Sequence, residues 1–333
     1  MKFKVRASII IFTIIVFVVL GIACFKSNIE ISLPNLKSAH LVVYSCLRSE
    51  ETQSILELFK EKTNCSYEYI QLPTQEAVLR IEDEMFNPKA DIFLSGTCDS
   101  LNSLSKIKAI KSYKSQNQRN IPMDFRLSNG KWSAFEIHPF SIVINKEIWN
   151  KEFKTKNISL PKNFKDLTNI NFKGKIALPN PLTSGTGHSF ICYLYNSLGD
   201  KEFKRVVTKI KGNTGLLSTR GYNVVQNVAS GEYPIGVSYL NNIKLMEKST
   251  SDLIVITPNN TGIDIHGVGI INKVKNTKAS KAFVDFILSD ETQKKLQDFS
   301  TSIPVKNYIP YNDKYIIPNL EETTSLIELW KNL

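Results

Sequence analysis

Apolar strand patterns and helical patterns alternate in the first third of this chain. Leu41–Ser45 is a short, β-branched apolar run that ends in polar residues, which is typical of a buried strand. Apolar residues at helical spacing follow, with Ser49 as the expected N-cap. A second strand over 67–72, a helix over 74–86 and a third strand over 90–94 continue the series. This alternation predicts an α/β fold with a mostly parallel sheet and crossover helices.

The alternation of strand and helix patterns continues in the part of the chain that lies between two extended segments. These segments lie near 133–144 and 264–272 and are predominantly apolar. We therefore predict two α/β lobes, the second inserted into the first, with two crossing strands as the hinge. The predicted boundaries are 40–134 with 268–333 for lobe 1, and 135–267 for lobe 2. Helices are expected through 190–198 and over 201–211, 220–230, 278–299 and 321–332, and strands over 174–179, 235–239 and 254–257.

The N-terminal residues have the pattern of a targeting signal. A basic start precedes an apolar, uncharged run over 7–23, which predicts a signal peptide over 1–23. The segment Leu20–Cys24 resembles a bacterial lipobox, so we expect lipidation of Cys24, a tether over 24–39 and an exported chain held at the membrane. Ordinary cleavage or a retained anchor is the alternative, and a run of roughly 17 residues is at the short limit for spanning a bilayer.

The chain is basic without the pattern of a nucleic-acid-binding protein. Its formal net charge is +11, which becomes +8 once the three basic residues of the predicted signal peptide are removed. No block of Lys and Arg residues and no basic motif interleaved with aromatic residues occurs. A lysine-rich solvated surface, with a cleft that attracts anions, fits this charge better.

The cysteines beyond Cys24 have neither a CxxC motif nor zinc-ligand spacing. Export would permit disulfides, but no pair is assigned by the sequence. If the strand order in the sheet is 2-1-3, Cys46 and Cys98 lie at the ends of neighbouring strands. Each is expected to be a small buried hydrophobic residue; they are Cys46, Cys65, Cys98 and Cys192.

Small residues open a helix in the middle of the chain. Thr183–Gly187 leaves backbone N–H groups uncovered just where the first helical turn has N–H groups without intrahelical partners. Together they form a place for an anionic group, although an N-cap followed by a tight turn is the plainer interpretation. In an open α/β sheet, ligands bind beyond the carboxyl ends of the strands, which points to the polar loops 45–49 and 95–99 as well.

Five segments in this order resemble the solute-binding proteins of bacterial ABC importers, closest to the ferric-ion-binding group. The resemblance covers roughly residues 40–305. It implies the two-lobe periplasmic-binding-protein fold of type II, a ligand held between the lobes, and no cofactor. It also implies permease and ATPase partners, an exported chain and a monomer. The segments are Leu41–Ser45, Ala90–Phe93, Asn180–Gly187, Gly231–Gly236 and Gly267–Ile271.

The resemblance also implies site residues. Ser184, Gly185 and Thr186 match a loop that holds an anion, and Arg48 takes a position where iron binders often carry histidine. Tyr239 stands alone where bare-iron binders carry a tyrosine pair, and it is the candidate metal ligand.

The cargo implied first is iron(III), bare with a synergistic anion or as an anionic chelate. A phosphorylated or carboxylated small organic solute is the alternative, with Arg48 pairing with the anion. Thr97 completes the candidate ligand-binding set, and Asp99 is a further candidate for the cleft.

Each of these residues also has an interpretation without function. Arg48 could pair with Glu50 or Glu51, and Tyr239 and Tyr44 could simply pack in the core. The three histidines that follow His40 are expected as satisfied polar residues, with His188 as the one nearest the small-residue turn; they are His138, His188 and His266. No GxSxG elbow, GK[ST] phosphate loop or HExxH motif occurs, so an enzyme is not expected.

Overall fold

The computed structural model describes residues 33–300, 303–305, 315–316 and 323–333. The predicted signal peptide, Cys24 and most of the predicted tether lie outside these residues. Within them, no helix combines the length and apolar character that a bilayer crossing requires.

The secondary structure alternates as predicted, with several shifted boundaries. Six short 3₁₀ or π segments connect the longer elements between residues 116 and 172. The strands are β1 His40–Ser45, β2 Ser66–Gln71, β3 Ile92–Thr97, β4 Ile110–Lys111, β5 Trp132–Asn145, β6 Ile176–Pro179, β7 Thr214–Ser218, β8 Ile235–Tyr239, β9 Leu253–Ile256, β10 Thr261–Ile271, β11 Ile303–Pro304 and β12 Tyr315–Ile316. The helices are α1 Ser49–Thr63, α2 Thr74–Asp83, α3 Cys98–Lys106, α4 Lys146–Ile148, α5 Gly185–Asn213, α6 Gly221–Ala229, α7 Leu240–Met246, α8 Thr277–Ile287, α9 Asp290–Ser300 and α10 Thr323–Asn332.

Three boundaries differ from the sequence prediction for local reasons. Arg48, not Ser49, is the N-cap of α1, because the Glu51 side chain accepts the Arg48 backbone N–H at 3.4 Å. The two helices predicted on either side of Gly199 are joined in α5, which bends there at a glycine with φ +70°. The third strand continues to Thr97, so Ser95 belongs to the sheet rather than to a loop.

The strands form one continuous path in the order β2-β1-β3-β10-β5-β8-β6-β7. β1 is parallel to both β2 and β3, so the strand order at this end of the sheet is 2-1-3. β6 is parallel to β7 and β8. The two long strands β5 and β10 pair antiparallel at the centre of the path. The carboxyl ends of β1 and β3 on one side, and of β6, β7 and β8 on the other, therefore border the region around this central pair.

Two large hydrophobic clusters, here called the first and second core, lie on either side of that pair. The first core contains buried residues from 36 to 137 and from 263 to 305. The second core contains buried residues from 140 to 239, together with Leu326 and Trp330. β5 contributes to both: Ile137 is buried in the first core and Phe140 in the second, with Pro139 between them.

The C-terminal helix α10 lies against the second core. Leu326 and Trp330 are buried there, and the Lys211 ammonium donates to the Trp330 carbonyl oxygen at 2.9 Å. The predicted lobe 1 includes residues 268–333. That assignment is wrong for this helix, because its apolar side packs on α5 instead. The remaining lobe boundaries stay a prediction.

Candidate functional site

A polar cavity of about 80 Å³ lies where the two cores face each other. The carboxyl end of β1, the first turns of α5 and α6 and the central strands all contribute to its wall. By its size it has room for several waters or for a polar group of a small solute. The side chains most relevant to its chemistry are those of Cys46, Arg48, Glu51, Thr74, Ser95, His138, Ser184, Thr186, Thr219, Arg220, Tyr222, Tyr239, Asn241, Asn242 and His266.

The first turn of α5 faces this cavity as the sequence predicted. The Ser184 hydroxyl accepts the Gly187 N–H at 3.4 Å and so caps the helix. A Cβ at Gly185 would lie 2.5 Å from Thr74 Oγ1 and 2.9 Å from Thr97 Cγ2, so glycine lets this turn approach elements of the first core. Thr97 is buried behind Gly185 and is not among the residues that line the cavity.

Arg48 reaches the cavity and also has the carboxylate partner considered in the sequence analysis. Its guanidinium lies 2.7 Å from Glu51 Oε1 and stacks over the Tyr222 ring, 5.0 Å from the ring centroid. Its buried Nε has no hydrogen-bond partner among the described residues. Burial raises the pKa of Glu51 to about 7, although Arg48 acts in the opposite direction. Glu51 therefore holds Arg48 in place, and the Arg48 Nε–H is left without a partner among the described residues.

Arg220 is the charged residue of the cavity that sequence reasoning missed. It directly follows Thr219 at the carboxyl end of β7, on the same wall as the α5 first turn. Within the described part of the chain, no hydrogen bond or ion pair engages its guanidinium, and burial lowers its pKa. Because β7 was not predicted as a strand, nothing in the sequence placed Arg220 at a strand end.

Gly221 fixes the position of this arginine relative to α5. A Cβ at Gly221 would lie 2.6 Å from Thr186 Oγ1, so the Thr219–Gly221 loop and the α5 first turn pack in direct contact. A guanidinium and the N–H groups of a helix N-terminus thus border the same space. The guanidinium charge and the positive end of the helix dipole both favour an anion in this part of the cavity.

Tyr239 lies at the end of β8 and donates its hydroxyl proton to Asp264 Oδ2. The second Asp264 oxygen accepts the Ile265 N–H at 2.8 Å. Burial and the neighbouring Asp264 carboxylate raise the pKa of Tyr239 well above its ordinary value. The phenol is therefore a proton donor to Asp264, which is not the tyrosinate form that iron(III) prefers.

The floor of the cavity is a cluster of histidines and carboxylates on the central strands. Glu136 Oε1 lies 3.4 Å from His138 Nε2 and 3.7 Å from His266 Nδ1. The Ser95 hydroxyl lies 2.8 Å from that Nδ1 and donates to Glu136 Oε1 at 3.2 Å. Burial alone would raise the pKa of Glu136, but the two imidazoles hold it well below its usual range. Burial would lower the pKa of His266, but Asp264 and Glu136 outweigh it and raise the value to about 9.

His188 and Asp99, two of the sequence candidates, form a buried ion pair. His188 Nδ1 on α5 lies 2.6 Å from Asp99 Oδ2 on α3. Burial would raise the pKa of Asp99, but His188 holds it below its ordinary value. Neither residue lines the cavity; the pair instead connects elements of the two cores.

The cysteines of the described residues are free thiols. Cys46 lines the cavity, and burial raises its pKa to about 12. Tyr44 is fully buried and donates to Glu84 at 2.8 Å, so it is a core residue rather than a ligand contact.

Two cores joined by paired central strands around a polar cavity define a two-lobe binding protein, and the fold is that of the type II periplasmic binding proteins. Residues 87–325 match the family of bacterial extracellular solute-binding proteins, and the chain belongs to this family. It is a solute-binding protein of an ABC importer, as the resemblance implied, and not an enzyme. Proteins of this kind bind small ligands and work with a permease and an ATPase.

Two curated relatives and two solved structures are similar to this chain. An uncharacterized protein of Haemophilus influenzae is 27% identical over 76% of this chain and 74% of its own. A periplasmic protein of Salmonella typhimurium, provisionally assigned to 2-aminoethylphosphonate binding, is 21% identical over 78% and 75%.

Both structures share the fold at low sequence identity. AfuA of Actinobacillus pleuropneumoniae, with fructose-6-phosphate bound, superposes with a TM-score of 0.83 at 23% identity, covering 88% of this chain and 98% of its own. Iron-bound HitA of Pseudomonas aeruginosa gives 0.77 at 18% identity, covering 88% and 99%.

Proposed function

We propose that this protein captures a small organic phosphate or phosphonate between its lobes and delivers it to the permease. The supporting observation is the Arg220 guanidinium, which borders the cavity beside the α5 first turn without an ion pair among the described residues. Guanidinium and backbone N–H groups recognise phosphoryl oxygens through charge-assisted hydrogen bonds. Ser184, Gly185 and Thr186 would supply the helix end, and Arg48 a second cationic contact.

Iron(III), the cargo placed first by the sequence, has weaker support in this geometry. Tyr239, the metal ligand candidate from the sequence, donates its proton to Asp264 and has a raised pKa. Direct iron ligation would require the opposite, a tyrosinate facing the metal. A ferric chelate whose anionic oxygens face Arg48 and Arg220 remains the second candidate, because those cations do not distinguish between kinds of oxyanion.

Delivery would follow the hinge mechanism of two-lobe binding proteins. The lobes would close by bending β5 and β10, bury the anion against the α5 first turn, and present the closed form to the permease. We further propose that the chain is exported, that Cys24 anchors it through lipid, and that it acts as a monomer. Mass spectrometry of the mature N-terminus tests export and lipidation, and sedimentation of the purified protein tests the monomer.

The cargo is tested by calorimetry with four probes: fructose 6-phosphate, 2-aminoethylphosphonate, inorganic phosphate and ferric citrate. We expect saturable 1:1 binding of at least one organic phosphate or phosphonate, with weaker binding of inorganic phosphate. Binding of ferric citrate alone would overturn the organophosphate proposal. Native mass spectrometry of the protein from its own cells would then identify the natural cargo.

A further inference from the structure

The histidine–carboxylate cluster on the cavity floor contains a buried imidazole without a hydrogen-bond partner among the described residues. His138 is 2% exposed, yet neither of its ring nitrogens has a hydrogen-bond partner within the described residues. Its Nε2 lies 3.4 Å from Glu136 Oε1, as an ion-pair contact without hydrogen-bond alignment. The nitrogens of a buried imidazole normally have hydrogen-bond partners, so the His138 ring needs a partner that the described residues do not supply.

The cluster has the geometry of a metal site. Glu136, His138 and His266 each offer one ligand atom, and these atoms lie within 4.8 Å of one another. Tetrahedral zinc bonds of ~2.0–2.1 Å place neighbouring ligand atoms roughly 3.3–3.4 Å apart. The separations from Glu136 Oε1, 3.4 Å to His138 Nε2 and 3.7 Å to His266 Nδ1, are close to that requirement.

A second layer of contacts orients the ligands as metal sites require. The other nitrogen of His266, Nε2, lies 3.4 Å from Asp264 Oδ2. Asp264 is itself fixed by the Tyr239 hydroxyl and the Ile265 N–H. A histidine that binds metal through one nitrogen usually gives its other N–H to such a carboxylate, which sets the tautomer and the ring orientation.

Two irregularities of the sheet bring these groups together. The pairing of β10 with β3 shifts between Gly267 and Val268, and its pairing with β5 shifts between His266 and Gly267. Ser95 is the extra residue on β3 and adopts φ +60°, a left-handed conformation that is uncommon outside glycine. Bulges and strained residues of this kind re-aim side chains and cluster at functional sites.

We propose that Glu136, His138 and His266 bind a divalent cation of the zinc type at the floor of the cavity. Two imidazoles and one carboxylate form a ligand set that suits Zn²⁺ and similar borderline cations. His138 and His266 line the cavity, so the ion's remaining coordination position faces the bound solute. An oxygen of that solute or a water would occupy it. This inference does not depend on which anion the cavity takes.

Zinc binding to the purified, chelator-treated protein tests the inference, with Zn²⁺ alone as the probe and no organic solute. We expect one Zn²⁺ per chain by calorimetry, with affinity reduced at least tenfold in His138→Ala and in Glu136→Gln. His40→Ala is the matched control and should leave the affinity unchanged, because His40 is exposed and remote in the chain from the cluster.

A second measurement keeps the inference testable if a variant fails to fold. Cobalt(II) added to the unaltered protein should give the visible absorption bands of a tetrahedral ion, and Zn²⁺ should displace them. No saturable zinc binding, or equal binding by the wild type and a folded His138→Ala variant, overturns the site. Because organic phosphates are absent from these experiments, failure here is distinct from failure of the proposed cargo.

Discussion

Asp99 and His188 form a buried ion pair of 2.6 Å that connects α3, packed in the first core, with α5, packed in the second. The two residues are 89 positions apart in the chain, and their contact holds the α5 first turn near Thr97. The pair therefore stabilises the arrangement in which the cavity walls are close together.

Replacing Asp99 with Asn should destabilise the protein, because it removes one charge from a buried pair. We expect the free energy of unfolding to fall by about 3–5 kcal/mol in chemical denaturation. Asp200→Asn is the control: Asp200 pairs with Lys204 at 2.9 Å on an exposed helix face. That variant should change the stability by less than about 1 kcal/mol. Similar losses in the two variants would contradict the structural role of the Asp99 pair.

Arg220→Gln should weaken the binding of an organic phosphate that the wild type binds. Loss of a hydrogen bond to a charged group costs about 1.5–3 kcal/mol, or roughly a 10- to 100-fold rise in Kd. Calorimetry with fructose 6-phosphate or 2-aminoethylphosphonate measures this. Arg205→Gln provides the comparison, because Arg205 pairs with Glu202 at 2.6 Å on the surface and should not affect Kd. An unchanged Kd in the Arg220 variant would remove this residue from the binding site.

Glu51 should make stability depend on pH near neutrality. Its pKa is raised by burial from 4.5 to about 7 in the folded state, so the folded protein binds the proton more tightly than the unfolded chain. This contribution to stability is complete below pH 4.5 and is lost as pH rises through about 7. Urea denaturation at pH 5 and pH 7.5 should show a smaller difference in Glu51→Gln than in the wild type. Equal differences in the two proteins would show that Glu51 does not titrate in this window.

Gly185→Ala should impair closure around the cavity. The added Cβ would meet Thr74 Oγ1 at 2.5 Å, and such overpacking typically costs about 1–3 kcal/mol. Thermal denaturation and Kd for a bound organic phosphate should both worsen. Gly212→Ala is the matched change in the same helix, where a Cβ meets nothing within 4 Å. It should stabilise α5 by roughly 0.5–1 kcal/mol, since alanine is the better helix former.

The parts of the fold that depend on local patterns were accessible from the sequence. Leu41–Ser45 and the segments after it identified β1 to β3, because short apolar runs and helical spacing are recognised within a few residues. The Thr183–Gly187 turn pointed to the cavity wall for the same reason. Ser95 was placed in a loop, because its small polar neighbours resemble a turn and the ladder that continues β3 comes from β10, far along the chain.

The floor of the cavity could not be predicted in this way. His138 and His266 are 128 positions apart, and only the antiparallel register of β5 and β10 brings them to ring centroids 4.2 Å apart. Arg220 was missed because its strand, β7, lacks a strong alternation of apolar residues. The C-terminal helix was assigned to the wrong core because its apolar spacing shows that one face is buried, but not which surface buries it.

Pro139 lies on β5 between Ile137 of the first core and Phe140 of the second, opposite Ile263 of β10. Proline has no N–H to donate, so the ladder is weakest at this rung. Bending should concentrate there while each core moves as a rigid body. Glu136, His138 and His266 all lie on the first-core side of this rung, because His138 pairs with Asp264 and Glu136 with His266. An ion bound by these three residues would therefore stay with the first core when the protein opens, while the second core moves away from it.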